Sequence, residues 1–231
     1  MAVNIHRFDD REMLALSLAE CVASGLEGAL NLRDRATLAV SGGSTPIPLF
    51  RALAQCPLDW ARVRITQVDE RWVDEAHADS NARLVREHLL QGQAAAAEFI
   101  SMKVPETDAF AAQEAVAEKL AGFEQLDVAI LGMGEDGHTA SFFPEADALA
   151  RALDPGFHRI CLALRPPAAS HDRMTLSLAT LLRSHQIYLH ITGDNKAQVL
   201  QRAMESEDVF ALPVRSLFHR AENPLEVFYA P

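Results

Sequence analysis

An almost continuously apolar stretch that runs into a glycine-rich turn constrains the fold more than any other part of this sequence. It covers residues 126–141, with the letters LDVAILGMGEDGHTAS. A strand buried on both faces of a parallel sheet is continuously apolar, whereas a strand with one solvated face alternates. The turn then places Asp136 and His138 at the carboxyl end of the strand. Because open α/β sheets bind ligands at that edge, the stretch predicts a parallel sheet with a functional site there.

Strand-like and helix-like segments alternate along the whole chain, which predicts an α/β fold: a doubly wound, mostly parallel sheet with helices on both faces. The predicted strands cover residues 3–8, 37–40, 63–68, 98–102, 126–131, 158–164, 186–191 and 225–229. The predicted helices cover residues 10–32, 46–53, 80–90, 109–123, 176–183 and 195–205. No internal repeat or low-complexity linker divides the chain, so we expect residues 1–231 to form a single domain.

Composition excludes several classes of partner. A net charge of -11 leaves no basic face for nucleic acid or an acidic membrane. The first residues lack the basic and apolar pattern of a signal peptide, and we expect no apolar stretch to reach the roughly 18 residues of a membrane span, so a cytoplasmic protein is expected. Cys21, Cys56 and Cys161 form no C-x-x-C pair, and no H-E-x-x-H occurs, so neither a disulfide framework nor a metal site is indicated.

The glycine-rich turn also fits the dinucleotide fingerprint G-x-G-x-x-G, through Gly132, Gly134 and Gly137. The context argues against that interpretation. The motif lies past the middle of the chain, and Glu135 and Asp136 would bring negative charge to a pyrophosphate. The acid expected about 20 residues further on falls in a proline-glycine turn. A catalytic site at this turn is therefore favoured over a dinucleotide-binding site.

A second glycine-rich loop follows the strand at residues 37–40 and precedes a helix that Pro46 is suited to begin. Free backbone amides at such a turn, with nearby hydroxyls, form an anion cradle. The alternative is an ordinary Gly-Ser turn, but the strand, the two glycines, the hydroxyls and the proline together favour a phosphate site. Its residues are Ser41, Gly42, Gly43, Ser44 and Thr45.

Charged residues at other strand ends extend the expected site. Asp69 and Arg71 follow the strand at residues 63–68, where an arginine can stabilise an oxyanion and an aspartate can orient a hydroxyl or water, although a surface ion pair is the alternative. His138 is a natural proton carrier that Asp136 can orient. Arg173 and Lys196 are the cations expected to bind an anionic group, with surface solvation as their alternative.

Taken in order, four segments resemble the 6-phosphogluconolactonase family. They are SGGSTP at residues 41–46, DERWV at 69–73 with Ser80-Asn81, LGMGEDGHTAS at 131–141 with Phe143-Pro144, and GDNKA at 193–197. The resemblance implies a doubly wound fold shared with glucosamine-6-phosphate deaminases and ribose-5-phosphate isomerases. It also implies hydrolysis of 6-phosphoglucono-1,5-lactone, a sugar-phosphate lactone of the pentose phosphate pathway, without metal or organic cofactor.

The resemblance further implies that residues 41–45, Arg173 and Lys196 hold the phosphate and that His138 is the catalytic base. On that basis we expect Arg71 to stabilise the oxyanion, Asp136 to orient His138 or the water, and Asp69 or Asn81 to bind sugar hydroxyls. His171 and His190 are weaker candidates for residues of the site. We expect the protein to be a monomer.

Two alternatives remain open. The deaminases carry a tyrosine in place of Arg71 and a Phe-Asn-Glu-Pro run in place of residues 141–144, so the missing glutamate disfavours an isomerase or deaminase. A non-catalytic sugar-phosphate sensor would keep the phosphate loop but has no need of His138.

The run Leu164-Arg165-Pro166-Pro167 departs from the Pro-Lys-Pro-Pro expected of the family, although its charge is retained.

Overall fold

The computed structural model of the chain describes residues 3–167, 169–218 and 223–231. The strands are β1 (Val3–Arg7), β2 (Ala36–Val40), β3 (Val63–Gln67), β4 (Asp69–Arg71), β5 (Glu98–Phe99), β6 (Val128–Leu131), β7 (Cys161–Leu164), β8 (Arg173–Leu176), β9 (Gln186–Thr192) and β10 (Leu225–Ala230). The α-helices are α1 (Arg11–Leu32), α2 (Ile47–Leu53), α3 (Asn81–His88), α4 (Gln113–Lys119), α5 (Leu149–Ala152), α6 (Leu178–Leu182) and α7 (Asp194–Met204). Short 3-10 helices cover Trp60–Arg62, Gly92–Ala96 and Pro213–Leu217.

Seven strands form one parallel sheet in the order β1-β10-β9-β6-β2-β3-β5. From β2 the chain builds outward through β3 and β5, and from β6 it builds outward in the opposite direction through β9 and β10. The direction of winding therefore reverses between β2 and β6. A crevice opens at such a switch point, outside the carboxyl ends of the strands. The predicted doubly wound, mostly parallel sheet is confirmed.

Two apolar clusters cover the opposite faces of this sheet. Along β2, Leu38 and Val40 belong to one cluster while Ala39 belongs to the other, as expected when successive side chains point to opposite faces. Helices α1, α2 and α3 pack in the first cluster, and α4, α5, α6 and α7 pack in the second. Both faces of the central strands are dry, which explains why these strands are continuously apolar in the sequence.

Helix α1 begins at Asp10, whose carboxylate accepts a hydrogen bond of 2.8 Å from the amide of Met13. By length and mean hydropathy α1 is apolar enough to cross a membrane, so the expectation that no stretch reaches that length is wrong. Its apolar stripe nevertheless packs on the sheet and on α2, and its other side carries exposed acids such as Glu20 and Glu27. Core helices of this kind pass the same test of length and composition.

A second, antiparallel sheet of three strands, in the order β4-β8-β7, was not expected from the sequence. No strand is predicted at the residues that form β8, and β7 begins at Cys161 rather than at residue 158. Helix α4 is also shorter than the predicted residues 109–123, because the carboxylate of Asp108 binds the amides of Phe110 and Ala111 in a turn. Helix α2 begins after Pro46 and has no side-chain cap, so the predicted first turn is displaced by one residue.

A buried carboxylate joins β2 to β6. Asp127 is 3% exposed and accepts hydrogen bonds from the amide of Thr37 at 2.8 Å and from its hydroxyl at 3.1 Å. The same carboxylate forms an ion pair with Arg33 just beyond α1. One buried group therefore ties three elements together.

We predict that Asp127→Ala lowers the free energy of unfolding by about 2–4 kcal/mol, since it leaves a buried amide without a partner and removes an ion pair. Asp34→Ala is the matched control, because the Asp34 side chain is 95% exposed and should change stability by less than about 0.5 kcal/mol. Urea denaturation of both variants measures the difference. Equal effects would contradict the assigned role of Asp127.

Candidate functional site

A cleft of about 270 Å³ opens at the switch point between β2 and β6. Every site residue predicted from the sequence lines it, except Asp136 and Arg173. The lining also includes Gly132, Met133, Gly134 and His190. The segments that follow β2, β3, β6 and β9 supply these residues, so the fold assembles parts that are far apart in the sequence.

The loop at residues 41–45 offers unused hydrogen-bond donors to the cleft. The amide of Ser41 continues the sheet by donating to the carbonyl of Ile130 at 3.0 Å. The next four amides and the hydroxyls of Ser41, Ser44 and Thr45 make no hydrogen bond to any residue that the structure describes. A group of free donors beside a cleft is suited to an anion with several oxygens. Because α2 has only seven residues, the loop backbone rather than a helix terminus carries this property.

Gly42 lies directly against Asn81, the first residue of α3. A Cβ atom at Gly42 would overlap the side-chain amide of Asn81. That amide cannot move away freely, because Asn81 is 2% exposed and donates a 2.8 Å hydrogen bond to the carbonyl of Asp69. The glycine therefore sets the distance between the donor loop and the opposite wall of the cleft.

His138 and Asp136 form a pair at the end of β6. The Nδ1 atom of His138 lies 2.6 Å from Oδ1 of Asp136, and the imidazole stacks on Phe143 with ring centroids 4.2 Å apart. Gly134 makes the arrangement possible, since a Cβ there would overlap both side chains of the pair. Burial alone would raise the pKa of Asp136, but the hydrogen bond and the charge of His138 outweigh it, so the pKa is lowered. Asp136 is therefore a carboxylate over the neutral pH range.

Asp69 and Arg71 line the cleft from β4. A carboxylate oxygen of Asp69 accepts a 2.6 Å hydrogen bond from the hydroxyl of Ser141. Arg71 donates to the backbone carbonyl of Asp79 at 2.8 Å, and no acidic side chain of the described residues lies within ion-pair distance of it. Its charge is therefore available to a bound ligand.

Glu70 is a structural residue of the site that the sequence did not reveal. It points away from the cleft, is 1% exposed, and accepts hydrogen bonds from the amides of Arg71 and Asn81 at 2.8 and 2.7 Å. Its other donors are the amide of Ala82, the hydroxyl of Ser80 and the side chain of Gln67. Burial raises the pKa of Glu70 to about 7, against these hydrogen bonds, which favour the carboxylate. The alternation of side chains along a strand could have indicated this orientation. Asp69 and Arg71 lie on one face of β4, so Glu70 between them lies on the opposite face.

Lys196 and His190 line the same cleft as the donor loop. Burial lowers the pKa of Lys196, and no described acidic residue lies within ion-pair distance of its ammonium. Arg173 does not line the cleft but lies close to it, with its guanidinium carbon 5.7 Å from the ring centroid of Phe143, the residue that stacks on His138. It pairs with Arg71 across β8 and β4, and its guanidinium donates to backbone carbonyls of His171 and Asp172. The predicted phosphate role of Arg173 stays a prediction.

One group of side chains among the described residues could hold a metal ion: His77, Asp79 and His171, with ligand atoms within 4.8 Å of one another. Sequence spacing did not indicate it, because two distant segments supply its members. His171 Nε2 lies 3.0 Å from a carboxylate oxygen of Asp79, whose backbone carbonyl binds Arg71. None of these three side chains lines the cleft. Their contacts stabilise the turn whose carbonyl accepts the hydrogen bond from Arg71.

Comparison with known proteins places this chain in a family. The family model described as glucosamine-6-phosphate isomerases/6-phosphogluconolactonase matches residues 9–225. The chain belongs to this family. A relative named 6-phosphogluconolactonase from Pseudomonas aeruginosa is 44% identical over 94% of this chain and 90% of its own length. Another of that name from Rhizobium meliloti is 41% identical over the full length of both chains.

Solved structures support the assignment of the fold. The crystal structure of a 6-phosphogluconolactonase from Shewanella baltica superimposes with a TM-score of 0.96 at 43% identity, covering 99% of this chain and 98% of that one. A monomeric glucosamine-6-phosphate deaminase superimposes with a TM-score of 0.76 at 16% identity, which shows a shared fold only. Both branches of the family thus use the same architecture.

We predict that Gly42→Ala lowers the free energy of unfolding by about 1–3 kcal/mol, because the new methyl group displaces a buried amide. The φ angle of Gly42 is not positive, so the effect isolates the overlap with Asn81. Gly28→Ala is the matched control: it lies exposed in α1, its Cβ would meet nothing within 4 Å, and it should stabilise the protein by about 0.5–1 kcal/mol. Chemical denaturation compares the variants, and a crystal structure shows Asn81. An unmoved Asn81 would refute the prediction.

Proposed function

We propose that this protein hydrolyses 6-phospho-D-glucono-1,5-lactone to 6-phospho-D-gluconate, the reaction that the name of its relatives, 6-phosphogluconolactonase, indicates. The observation that carries the proposal is the cleft itself. It combines a histidine held by a carboxylate, an arginine without an acidic partner and a loop of unused donors beside a lysine. A base, an oxyanion partner and an anion cradle are the parts that hydrolysis of a phosphorylated lactone requires.

In the proposed mechanism, Asp136 accepts the Nδ1–H of His138 and fixes the neutral tautomer whose Nε2 can accept a proton. Nε2 removes a proton from a water molecule as its oxygen attacks the lactone carbonyl carbon. The resulting imidazolium is stabilised by the Asp136 carboxylate. When the tetrahedral intermediate collapses, the bond to the ring oxygen breaks and His138 returns the proton to that oxygen.

Arg71 is proposed to stabilise the negative charge that forms on the carbonyl oxygen. One N–H of its guanidinium donates to the carbonyl of Asp79, and this hydrogen bond holds the side chain in place. The other N–H groups remain free to donate to a ligand in the cleft. Asp69 and Asn81 are proposed to bind sugar hydroxyls. Because Ser141 and the Asp69 carbonyl orient both groups, they can do so without large rearrangement.

The loop at residues 41–45, Lys196 and, as a prediction, Arg173 are proposed to hold the phosphate. A chain with a net charge of -11 repels an anion at long range, so it needs donors at short range. The free amides and hydroxyls of the loop meet that need without changing the net charge.

The proposal favours a lactonase over a deaminase or isomerase because of Phe143. It occupies the position at which the deaminase pattern has a glutamate, and it stacks on His138 instead. Ring opening and isomerisation need a further acid and base, whereas lactone hydrolysis needs one activated water. Incubation with glucosamine 6-phosphate tests the alternative, since a deaminase would release ammonia. The expectations of a monomer, a single domain and a cytoplasmic location remain predictions.

The decisive experiment measures 6-phosphogluconate release from freshly prepared lactone with and without the protein. We expect His138→Ala to lower kcat/KM by at least about 100-fold after subtraction of spontaneous hydrolysis, because general-base catalysis is lost. His158→Ala is the control, since His158 is exposed and outside the cleft. Absence of any rate above background in the unaltered protein would refute the function, and full activity of His138→Ala would refute the role of His138.

A second variant tests the oxyanion assignment. Arg71→Gln should lower kcat by about 100-fold to 1000-fold with a smaller change in KM, because the interaction strengthens in the transition state. Arg151→Gln, an exposed arginine on α5, should leave both constants unchanged. If Arg71→Gln raised KM and spared kcat, Arg71 would bind the ground state instead.

A further inference from the structure

His190 is a buried histidine in the cleft for which the mechanism above has no use. It belongs to β9, is 3% exposed and lines the cleft together with Lys196. Its Nδ1 atom is buried and has no hydrogen-bond partner among the described residues. Nε2 also makes no hydrogen bond to the described residues but is not enclosed, so it is the ring nitrogen that can meet a ligand in the cleft. Because buried imidazoles nearly always have a hydrogen-bond partner, a ring with neither nitrogen paired indicates a partner that arrives with a ligand.

The charge state of His190 limits what that partner can be. Burial, and then the positive charge of Lys196, lower the pKa of His190 to about 4. The imidazole is therefore neutral at physiological pH, with one N–H donor and one acceptor nitrogen. A neutral ring can lie beside the ammonium group without repulsion and can contribute a donor to a shared anion.

The position of His190 points to the phosphate rather than to the lactone carbonyl. In the sheet order β9-β6-β2-β3, β9 lies three strand spacings, or about 14 Å, from β3, the strand that leads to Arg71. His190 lies on the side of Lys196, and the donor loop extends from β2 between the two ends. His138 follows β6, the direct neighbour of β9, so strand order separates His190 from Arg71 but not from the catalytic base. Lys196 lines the same cleft and its charge acts on His190, so an anion bound by Lys196 lies beside the imidazole.

We propose that His190 is a substrate-binding residue that donates its N–H to a phosphate oxygen of the ligand held by Lys196 and residues 41–45. This inference rests on the proposed function for the identity of the natural substrate. It assigns to His190 a role in specificity: the residue distinguishes a phosphorylated lactone from the same lactone without phosphate, and it takes no part in proton transfer.

The test compares His190→Leu with His190→Asn, which restores a neutral N–H donor. Binding is measured by calorimetric titration with inorganic phosphate, and kinetics with 6-phosphogluconolactone and with unphosphorylated glucono-1,5-lactone. Because a hydrogen bond to a charged group is lost, His190→Leu should weaken phosphate binding by about tenfold to 100-fold. It should raise KM for the phosphorylated lactone by a similar factor, with kcat and the reaction of the unphosphorylated lactone nearly unchanged. His190→Asn should recover most of the affinity.

Tyr188→Phe is the matched control, since Tyr188 lies two residues earlier on the same face of β9 and outside the cleft. It should change none of these constants. His190→Leu should also unfold at an equal or higher temperature than the unaltered protein, because it replaces an unsatisfied buried polar group with an apolar one. A loss of affinity without a loss of stability excludes a merely structural role.

Unchanged phosphate affinity in His190→Leu overturns the proposal, and so does an equal loss of kcat/KM with both lactones. Phosphate titration needs no turnover, so it tests His190 even if the lactone assay fails. Conversely, normal lactone hydrolysis together with unaltered phosphate binding in the variant would refute the role of His190 and leave the proposed function intact.

Discussion

The pairing of β2 with β6 governs the geometry of the cleft, because the chain winds in opposite directions from these two strands. Their register aligns Val40 with Ile130, so both strands end at the same level. The amide of Ser41 extends the ladder by one more hydrogen bond before the two loops diverge. At the opposite end, Asp127 and Thr37 fix the same register through a buried carboxylate. Slippage by one residue would break the contacts between Asp127 and Thr37, exchange the side chains that pack in the two apolar clusters, and shift the donor loop relative to His138.

Buried polar contacts then determine the positions of the side chains in the cleft. Glu70 binds the backbone on both sides of the gap between β4 and α3, so it fixes Arg71 relative to Asn81. Gly42 packs against Asn81 from the other side. The cleft is therefore shaped before a ligand binds, and little reorganisation is needed to align donors with developing charge. Removal of Glu70 would leave several buried donors unsatisfied, which explains why a residue that points away from the cleft is as constrained as those that line it.

The sequence predicted the central sheet well because its strands are buried on both faces and are continuously apolar. It also located the donor loop, Arg71 and His138, since each follows such a strand and parallel strands end at one edge. It failed for β8, where the four residues RMTL are too short and too mixed to show a period. It missed the contacts of Glu70 and the group formed by His77, Asp79 and His171, because these depend on segments that are distant in the sequence. The partnerless state of His190 is a property of the packed structure alone.

An acidic protein repels an anion at long range, so the groups that attract a bound anion must act at short range. Screening removes most of the repulsion from surface carboxylates beyond about 8 Å, so the contacts within the cleft decide affinity. Burial already lowers the pKa of Lys196, and a second cation beside it would lower that pKa further and weaken the charge on which binding depends. A neutral histidine does not lower the pKa of Lys196 in this way. His190 adds a donor without adding charge, as do the free amides of residues 42–45, so neither lowers the pKa of Lys196 through a further positive charge.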